Sequence, residues 1–307
     1  MKNKIERFDT PKVSSKIGIC GLPIRADTYS GCSFGCTYCF SNNRKIMGHS
    51  CFNTANLDSL ETKLDRIFNK HEIKENDLLE NLIADGITWH LGGMSDPFSK
   101  FEEEYHITKQ FIDITDKYGI SLLISTKSDT VYGADIRPEL HSFQLSISNV
   151  ENNKELEPNV PDIESRHRFY RELKDKGFKV GIRIQPFIPN KTSLDIIEMF
   201  KDADNVTLEG LKMVPQNKEH IAKTLSATGL SMEDFKFSSL WNLKPEMKLE
   251  MYKPFISCLC KHIFASNMQK GVKAVEDFIN RNFHNIKNPL SKEYHYITTD
   301  EFYREYL

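Results

Sequence analysis

From Lys16 to Met213 the chain alternates short apolar runs with stretches whose apolar residues recur at helical spacing. The runs Lys16–Cys20, Gly86–Leu91, Ile120–Ser125, Phe143–Ser148, Phe178–Gln185 and Val206–Met213 predict strands. Between the first two, Leu57, Leu60, Leu64, Ile67 and Phe68 fall on one face of a helix that Asp58 and Glu61 would cap. Glu102–Tyr118, Ile163–Lys176 and Ser193–Lys201 carry the same pattern, and Gly177 stands where the helix before it would stop. Strands alternating with helices predict an α/β fold with a parallel sheet. Six βα units fall short of a closed eight-fold barrel and suit an open partial (βα)6 barrel over residues 1–213. Beyond Val214 the pattern changes. Lys261–Phe264 and Val272–Phe283 look helical, and Tyr294–Tyr306 is aromatic and charged. Residues 214–307 therefore read as a C-terminal extension covering the open side of the barrel.

Composition narrows the class without naming a reaction. The 307 residues are 39% hydrophobic and 27% charged, ordinary values for a globular enzyme. The formal net charge of −2 advertises no basic field for nucleic acid, although it leaves room for a local groove. The start, Met1-Lys-Asn-Lys-Ile-Glu-Arg7, lacks the apolar run of a secretory signal, and no stretch approaches the roughly 18 apolar residues of a membrane span. A cytoplasmic protein with reduced cysteines and no membrane partner is expected.

The candidate chemistry begins at Tyr29-Ser-Gly-Cys32-Ser-Phe-Gly-Cys36-Thr-Tyr-Cys39-Phe40, where Gly31 and Gly35 free the backbone to wrap. Cys32, Cys36 and Cys39 are one thiolate short of the four that close an iron–sulfur cluster, so a [4Fe–4S] cube on them would keep one iron open. Zinc is the competing reading, with His49 or Cys51 as a fourth ligand. Disulfides fit poorly with an odd count of seven cysteines.

The ends of the later strands carry polar groups. After the second comes His90-Leu-Gly-Gly-Met-Ser-Asp-Pro-Phe98, where Gly93 admits a close ligand and Ser95 and Asp96 offer oxygens to a cation. A simple Gly-Gly turn is the alternative. The third runs into Ser125-Thr-Lys127-Ser128. On the fourth, Ser146 and Ser148 share the side of Gln144. On the fifth, Arg183 and Gln185 lie between apolar residues, and Arg183 needs an anion or a structural pair with Asp96 or Glu157. Ser125, Lys127, Ser146, Ser148, Arg183 and Gln185 are thus candidate cofactor ligands. Cys258 and Cys260 precede His262 in the extension, open to a second cluster, a metal site or plain packing; Cys20 in an apolar strand reads as a small hydrophobe.

The cysteine loop closely resembles that of the radical S-adenosylmethionine (SAM) superfamily. The resemblance implies a partial barrel whose open iron is chelated by the amino and carboxylate groups of SAM. It also implies reductive cleavage of SAM, a 5′-deoxyadenosyl radical and hydrogen abstraction from a substrate. Tyr38, before the third cysteine, would lie against the adenine. The Gly-Gly-Glu that usually binds the amino group is matched only in part, since the acid here is displaced to Asp96. Met94-Ser-Asp-Pro-Phe98, Ser125-Thr-Lys-Ser128, Leu156-Glu-Pro158 and Arg183-Ile-Gln-Pro-Phe-Ile-Pro189 resemble the subgroup related to spore photoproduct lyase. That subgroup implies an external flavodoxin- or ferredoxin-type electron donor and a nucleic-acid substrate, with a peptide or small metabolite as alternatives. It also offers Cys258 or Cys260 a role as hydrogen-atom donor. The resemblance covers roughly residues 16–213. A non-catalytic iron–sulfur or zinc module acting in regulation is the reading from another class.

Overall fold

The computed structural model describes residues 5–14, 22–43, 52–149, 151, 154–237, 240–244 and 246–247. The chain opens with β1 (Arg7–Phe8) and β2 (Lys12–Val13), and β3 (Ile24–Ala26) runs into the cysteine loop. After it come β4 (Thr54–Ala55), helices α1 (Leu57–Phe68) and α2 (Leu78–Ala84), and β5 (Trp89–Leu91). Helices α3 (Lys100–Tyr105) and α4 (Ile107–Lys117) lead to β6 (Leu122–Thr126) and β7 (Ser142–Ser146). Next are α5 (Ile163–Asp175), β8 (Lys179–Phe187), α6 (Asp195–Met199) and β9 (Val206–Gly210). Strand β10 (Lys212–Met213), helix α7 (Lys218–Thr228), β11 (Phe235–Phe237) and β12 (Trp241–Leu243) follow.

The main sheet has the order β2-β3-β5-β6-β7-β8-β9, and every pairing after β2 with β3 is parallel. Strands β3 to β9 stand in chain order with no reversal. Right-handed crossovers between such strands put all the helices on one face, the winding of a barrel rather than of a doubly wound sheet. This is the open partial (βα)6 barrel. A separate antiparallel sheet, β10-β12-β11, lies beyond it.

The helix-facing side explains why the pattern was readable. Ile24, Ala26, Trp89, Leu91, Leu122, Ile124, Phe143, Leu145, Val180, Ile182 and Ile184 alternate along their strands and enter one buried core. Leu60, Leu64 and Ile67 of α1 join it, on the face the spacing predicts. Asn56, not Asp58 or Glu61, caps that helix, its side chain accepting from the Ser59 N–H at 3.3 Å. Only Asn56 stands outside the first turn, where the unpaired N–H groups point.

Two expectations shift and two fall outside the described residues. Lys16–Cys20 lies outside the described residues, and β3 at Ile24–Ala26 supplies the strand before the cysteine loop. The single helix expected over Glu102–Tyr118 breaks at His106, which adopts φ 51°. The buried Glu102 carboxylate caps the new start, accepting from Thr108 and Lys109 N–H, both at 2.8 Å. The run Val206–Met213 divides between two sheets after Gly210. The helices expected at Lys261–Phe264 and Val272–Phe283 lie outside the described residues, as does Tyr294–Tyr306.

Packing and protonation meet at His141, whose side chain is fully buried. Its Nδ1 accepts from Leu122 N–H at 3.2 Å, and its Nε2 faces Asp116 Oδ1 at 2.5 Å. Nδ1 must therefore be unprotonated to start β6. Burial outweighs the pull of Asp116 and, with Arg137 nearby, lowers the His141 pKa from 6.5. A histidine with a depressed folded pKa contributes no penalty above 6.5, and stability is lost as pH falls below it because the unfolded chain binds the proton first. Urea midpoints should fall on going from about pH 7.5 to about 5.5, at up to about 1.4 kcal/mol per pH unit from this group. His141→Gln should lose that part of the slope. An unaltered slope would show that His141 titrates normally in the folded state.

Candidate cofactor site at the strand ends

The other face of the sheet is polar. Pairing sets Arg25 beside His90, Ser125 beside Gln144, Ser146 beside Arg183, and Arg183 beside Thr207. Gln185 and Glu209 share this face by alternation. The side chains satisfy one another across five strands. His90 Nε2 meets Ser125 Oγ at 2.7 Å, and Ser125 donates to Gln144 Oε1 at 3.2 Å. Arg183 Nη1 donates to the same Oε1 at 3.1 Å, while Gln144 Nε2 donates to Thr207 Oγ1 at 3.2 Å. Arg183 Nε donates to Gln185 Oε1, Gln185 Nε2 donates to Glu209 Oε2, and Lys212 Nζ pairs with Glu209 Oε1. Ser146 Oγ donates to the Gln185 carbonyl at 3.3 Å. Burial, with Arg183 and Arg25 close by, pushes His90 down to about 3, so its ring is neutral.

Arg183 is therefore paired, but with neither Asp96 nor Glu157. Its anion is Glu209, 3.8 Å from Nη2. Glu209 escaped the sequence reading although the alternation Thr207-Leu-Glu209 carried the signal. Thr207 and Glu209 needed only to be placed on the Arg183 face.

The loop after β5 is held by two acids. Asp27, at the end of β3, accepts from Met94 N–H at 2.7 Å and Ser95 N–H at 3.1 Å, and pairs with Arg25 at 3.2 Å. Ser95 Oγ donates to the Tyr29 carbonyl at 2.5 Å, which ties this loop to the cysteine loop. Gly92 is required here. It adopts φ 89°, and a Cβ would stand 2.4 Å from the Ser125 carbonyl. A Cβ on Gly93 would stand 2.7 Å from Arg25 Cδ. Asp96 accepts from Phe98 N–H at 3.0 Å, Thr126 Oγ1 at 2.7 Å and Lys127 N–H at 2.6 Å. Of its roughly four acceptor sites, those three bonds leave one. Burial lifts its pKa to about 6 against these donors. Asp27 was not foreseen, since a lone Asp after a three-residue strand has no spacing signal.

The cysteine loop sits above β7. Cys32, Cys36 and Cys39 carry thiols rather than disulfides, and they pack around Phe34, Val160 and Tyr38. Gly35 turns the loop with φ 69°. Among the described residues no three His, Cys, Asp or Glu side chains stand at metal-holding positions, so the sulfurs share one loop without converging on a point. Each sulfur nevertheless has a hydrogen-bonding neighbour. Phe34 and Asp96 N–H groups point at Cys32, the Tyr38 hydroxyl lies beside Cys36 with its proton on the Glu157 side, and Ser41 Oγ lies 3.1 Å from the Cys39 sulfur. Burial pushes the Cys36 and Cys32 thiols well up, with Glu157 adding to it at Cys36 and Asp96 at Cys32. Thiolate-facing donors in a buried pocket fit ligands to a positive metal group, whose charge offsets that burial.

Behind Cys36 lies a second buried network. Tyr38 OH donates to Glu157 Oε1 and lies 3.0 Å from Ser148 Oγ. Lys127 Nζ reaches Glu157 Oε1 at 2.8 Å and Ser148 Oγ at 3.2 Å. Burial opposes ionisation of Glu157, but Lys127, Arg166 and the Tyr38 hydroxyl outweigh it and hold the carboxyl at about 2. Tyr38, Lys127 and Ser148 are thus brought together, while Ser125, Ser146, Arg183 and Gln185 join the inner row. Asn149, next to Ser148, is 1% exposed, and neither polar atom of its side chain has a partner. A buried amide left unsatisfied is costly unless something binds it. Cys20, Cys51, Cys258, Cys260, His49 and His262 lie outside the described residues.

No family model matches the chain. An uncharacterized protein of Methanocaldococcus jannaschii is 27% identical over 208 residues, 64% of this chain and 73% of that relative. A spore photoproduct lyase cysteine variant superposes with a TM-score of 0.59 at 15% identity, covering 91% of this chain and 78% of the other. Another spore photoproduct lyase structure, with AdoMet and dinucleoside spore photoproduct bound, gives 0.55 at 14% identity over 89% and 77%. No helix among the described residues is long and apolar enough to cross a membrane. The chain shares the fold of spore photoproduct lyase.

Proposed function

We propose that the protein is a radical SAM enzyme, with a [4Fe–4S] cluster on Cys32, Cys36 and Cys39 and SAM lying across the adjoining strand ends. The observation that carries this reading is one loop with three free thiols, one buried and two partly buried, each with a hydrogen-bonding neighbour, together with an Asn149 amide that has no partner among the described residues. The chemistry such a group supplies when bound is one-electron cleavage of the SAM sulfur–C5′ bond, giving methionine and a 5′-deoxyadenosyl radical that takes a hydrogen atom from the substrate.

The chain's own residues bind and orient. Lys127, fixed by Glu157, presents a cation for the methionyl carboxylate. The acceptor site left on Asp96 suits the amino group, while the space left at Gly93 is taken by Arg25. Tyr38, pinned at its hydroxyl, keeps its ring edge for the adenine, and Asn149 offers an amide to the ribose. Ser125, Ser146, Arg183 and Gln185 line the barrel below, and the neutral His90 keeps that interior from gaining further positive charge. An external electron donor of flavodoxin or ferredoxin type and a nucleic-acid substrate follow from the resemblance, and a cytoplasmic location from the lack of an apolar signal or membrane run. The dinucleoside bound to the neighbouring lyase supports the nucleic-acid substrate. Residues 214–307 would cover the open side, bringing Cys258 or Cys260 as hydrogen-atom donor. A purely regulatory iron–sulfur or zinc module would have no use for the polar row.

Anaerobic reconstitution with iron and sulfide, followed by SAM and dithionite, should yield 5′-deoxyadenosine on chromatography. Cys36→Ala should lose both the iron and the product, and iron content equal to wild type would refute the assignment. Asn149→Ala breaks no hydrogen bond among the described residues, so the fold should survive it, yet SAM binding should weaken by about 0.5–1.5 kcal/mol, roughly two- to tenfold. Equal SAM affinity by equilibrium dialysis would remove Asn149 from the site.

A further inference from the structure

The turn at residues 156–160 grips the cysteine loop. The Leu156 carbonyl accepts from Thr37 N–H at 2.9 Å, and Asn159 N–H donates to the Phe34 carbonyl at 3.2 Å. Asn159 Nδ2 donates to the Ser33 carbonyl at 2.9 Å, and Val160 packs on Phe34 and Cys36. Backbone bonds and apolar contact thus already attach the loop. Glu157 adds something else. It is 5% exposed, faces Tyr38, Ser148 and Lys127 through Oε1, and stands 3.9 Å from Arg166 through Oε2. A buried ion pair is a poor device for stability, because apolar groups of similar volume do as well or better. What a carboxylate contributes that an amide does not is a fixed negative charge beside Tyr38 and the Cys36 sulfur.

We infer that Glu157 is a positioning residue that sets the electrostatic potential at Cys36 and so makes a cluster held there harder to reduce. The inference rests on the cluster reading above. A nearby negative charge opposes the entry of an electron, and cluster potentials follow net charge and hydrogen bonding at the sulfurs. A cluster that is harder to reduce is the stronger reductant once reduced, which suits the cleavage of a carbon–sulfur bond. Lys127, 2.8 Å from Glu157, and Arg166, which also reaches the Ser146 carbonyl, both partly neutralise the carboxylate. Glu157 and Arg166 therefore act in opposite senses.

Wild type, Glu157→Gln and Arg166→Gln are to be reconstituted anaerobically, their iron counted, and the cluster midpoint potential measured by titration with redox mediators under electron paramagnetic resonance. Glu157→Gln keeps the shape and an acceptor oxygen, so it should hold full iron with a less negative potential. Arg166→Gln should hold full iron with a more negative one. Potentials equal to wild type, or shifts in the same direction, would overturn the inference. Should Glu157→Gln hold no cluster, the Arg166→Gln potential decides alone: a more negative value supports the role and an unchanged one overturns it. Wild type that takes up no cluster sinks the proposed function and this inference with it. Missing SAM cleavage on an intact cluster sinks only the reading of the reaction, and the variant potentials then still bear out or overturn the role of Glu157.

Discussion

Six parallel strands share one sheet, and burying one face of that sheet against helices obliges it to be apolar along its whole width. Trp89, Leu122, Phe143, Val180 and Ile182 meet that demand. Because side chains alternate, polar residues such as His90, Ser125, Gln144, Arg183 and Thr207 then collect on the opposite face. An arginine there is tolerable only with partners, so Gln144, Gln185 and Glu209 gather around Arg183. The interior row follows from the way the outer face is packed. A cofactor at the strand ends is therefore backed by a floor whose hydrogen bonds are already made.

Holding the loops above that floor falls to buried acids. Loop N–H groups have no ladder to join and must find acceptors elsewhere. Asp27 takes those of Met94 and Ser95, Asp96 those of Phe98 and Lys127, and Glu102 those of Thr108 and Lys109. Each acid joins segments far apart in the chain. Asp96 links the loop after β5 to the end of β6, and Glu102 also receives the Tyr29 hydroxyl at 2.5 Å. Side chains fixed in this way are preorganised, as the proposed chemistry would require.

The two sides of the cysteine loop differ in kind. Toward Cys32 the environment is built of backbone N–H groups from Phe34 and Asp96, and the Asp96 carboxylate stands nearby. Toward Cys36 it is built of the charged network of Glu157, Lys127 and Arg166, with Tyr38 between. Backbone dipoles are nearly invariant to side-chain replacement, whereas the charges are not. The chain can thus be altered on the Cys36 side with the loop still anchored on the other.

How much was legible from the chain alone depended on the range of the signal. Alternation and helical spacing are local, so five of the barrel strands and helix α1 follow from the sequence, and so does the three-cysteine loop with its Gly35 turn. Strand β3 was displaced from its expected place because Arg25 and Pro23 interrupt a run too short to show a period. The break at His106 was hidden because Glu102 caps α4 only after the chain has folded back. The roles of Ser95, Asp96 and Arg183 could be narrowed to polar contact but not to a partner. Their partners, Tyr29, Thr126 and Glu209, lie 66, 30 and 26 positions away, the last by subtraction of the numbers 209 and 183. Residue type and spacing determined which chemistry the chain can carry. Tertiary structure decided which acid stands beside which cation, because charge pairing is set by distance in space and leaves no period in the sequence.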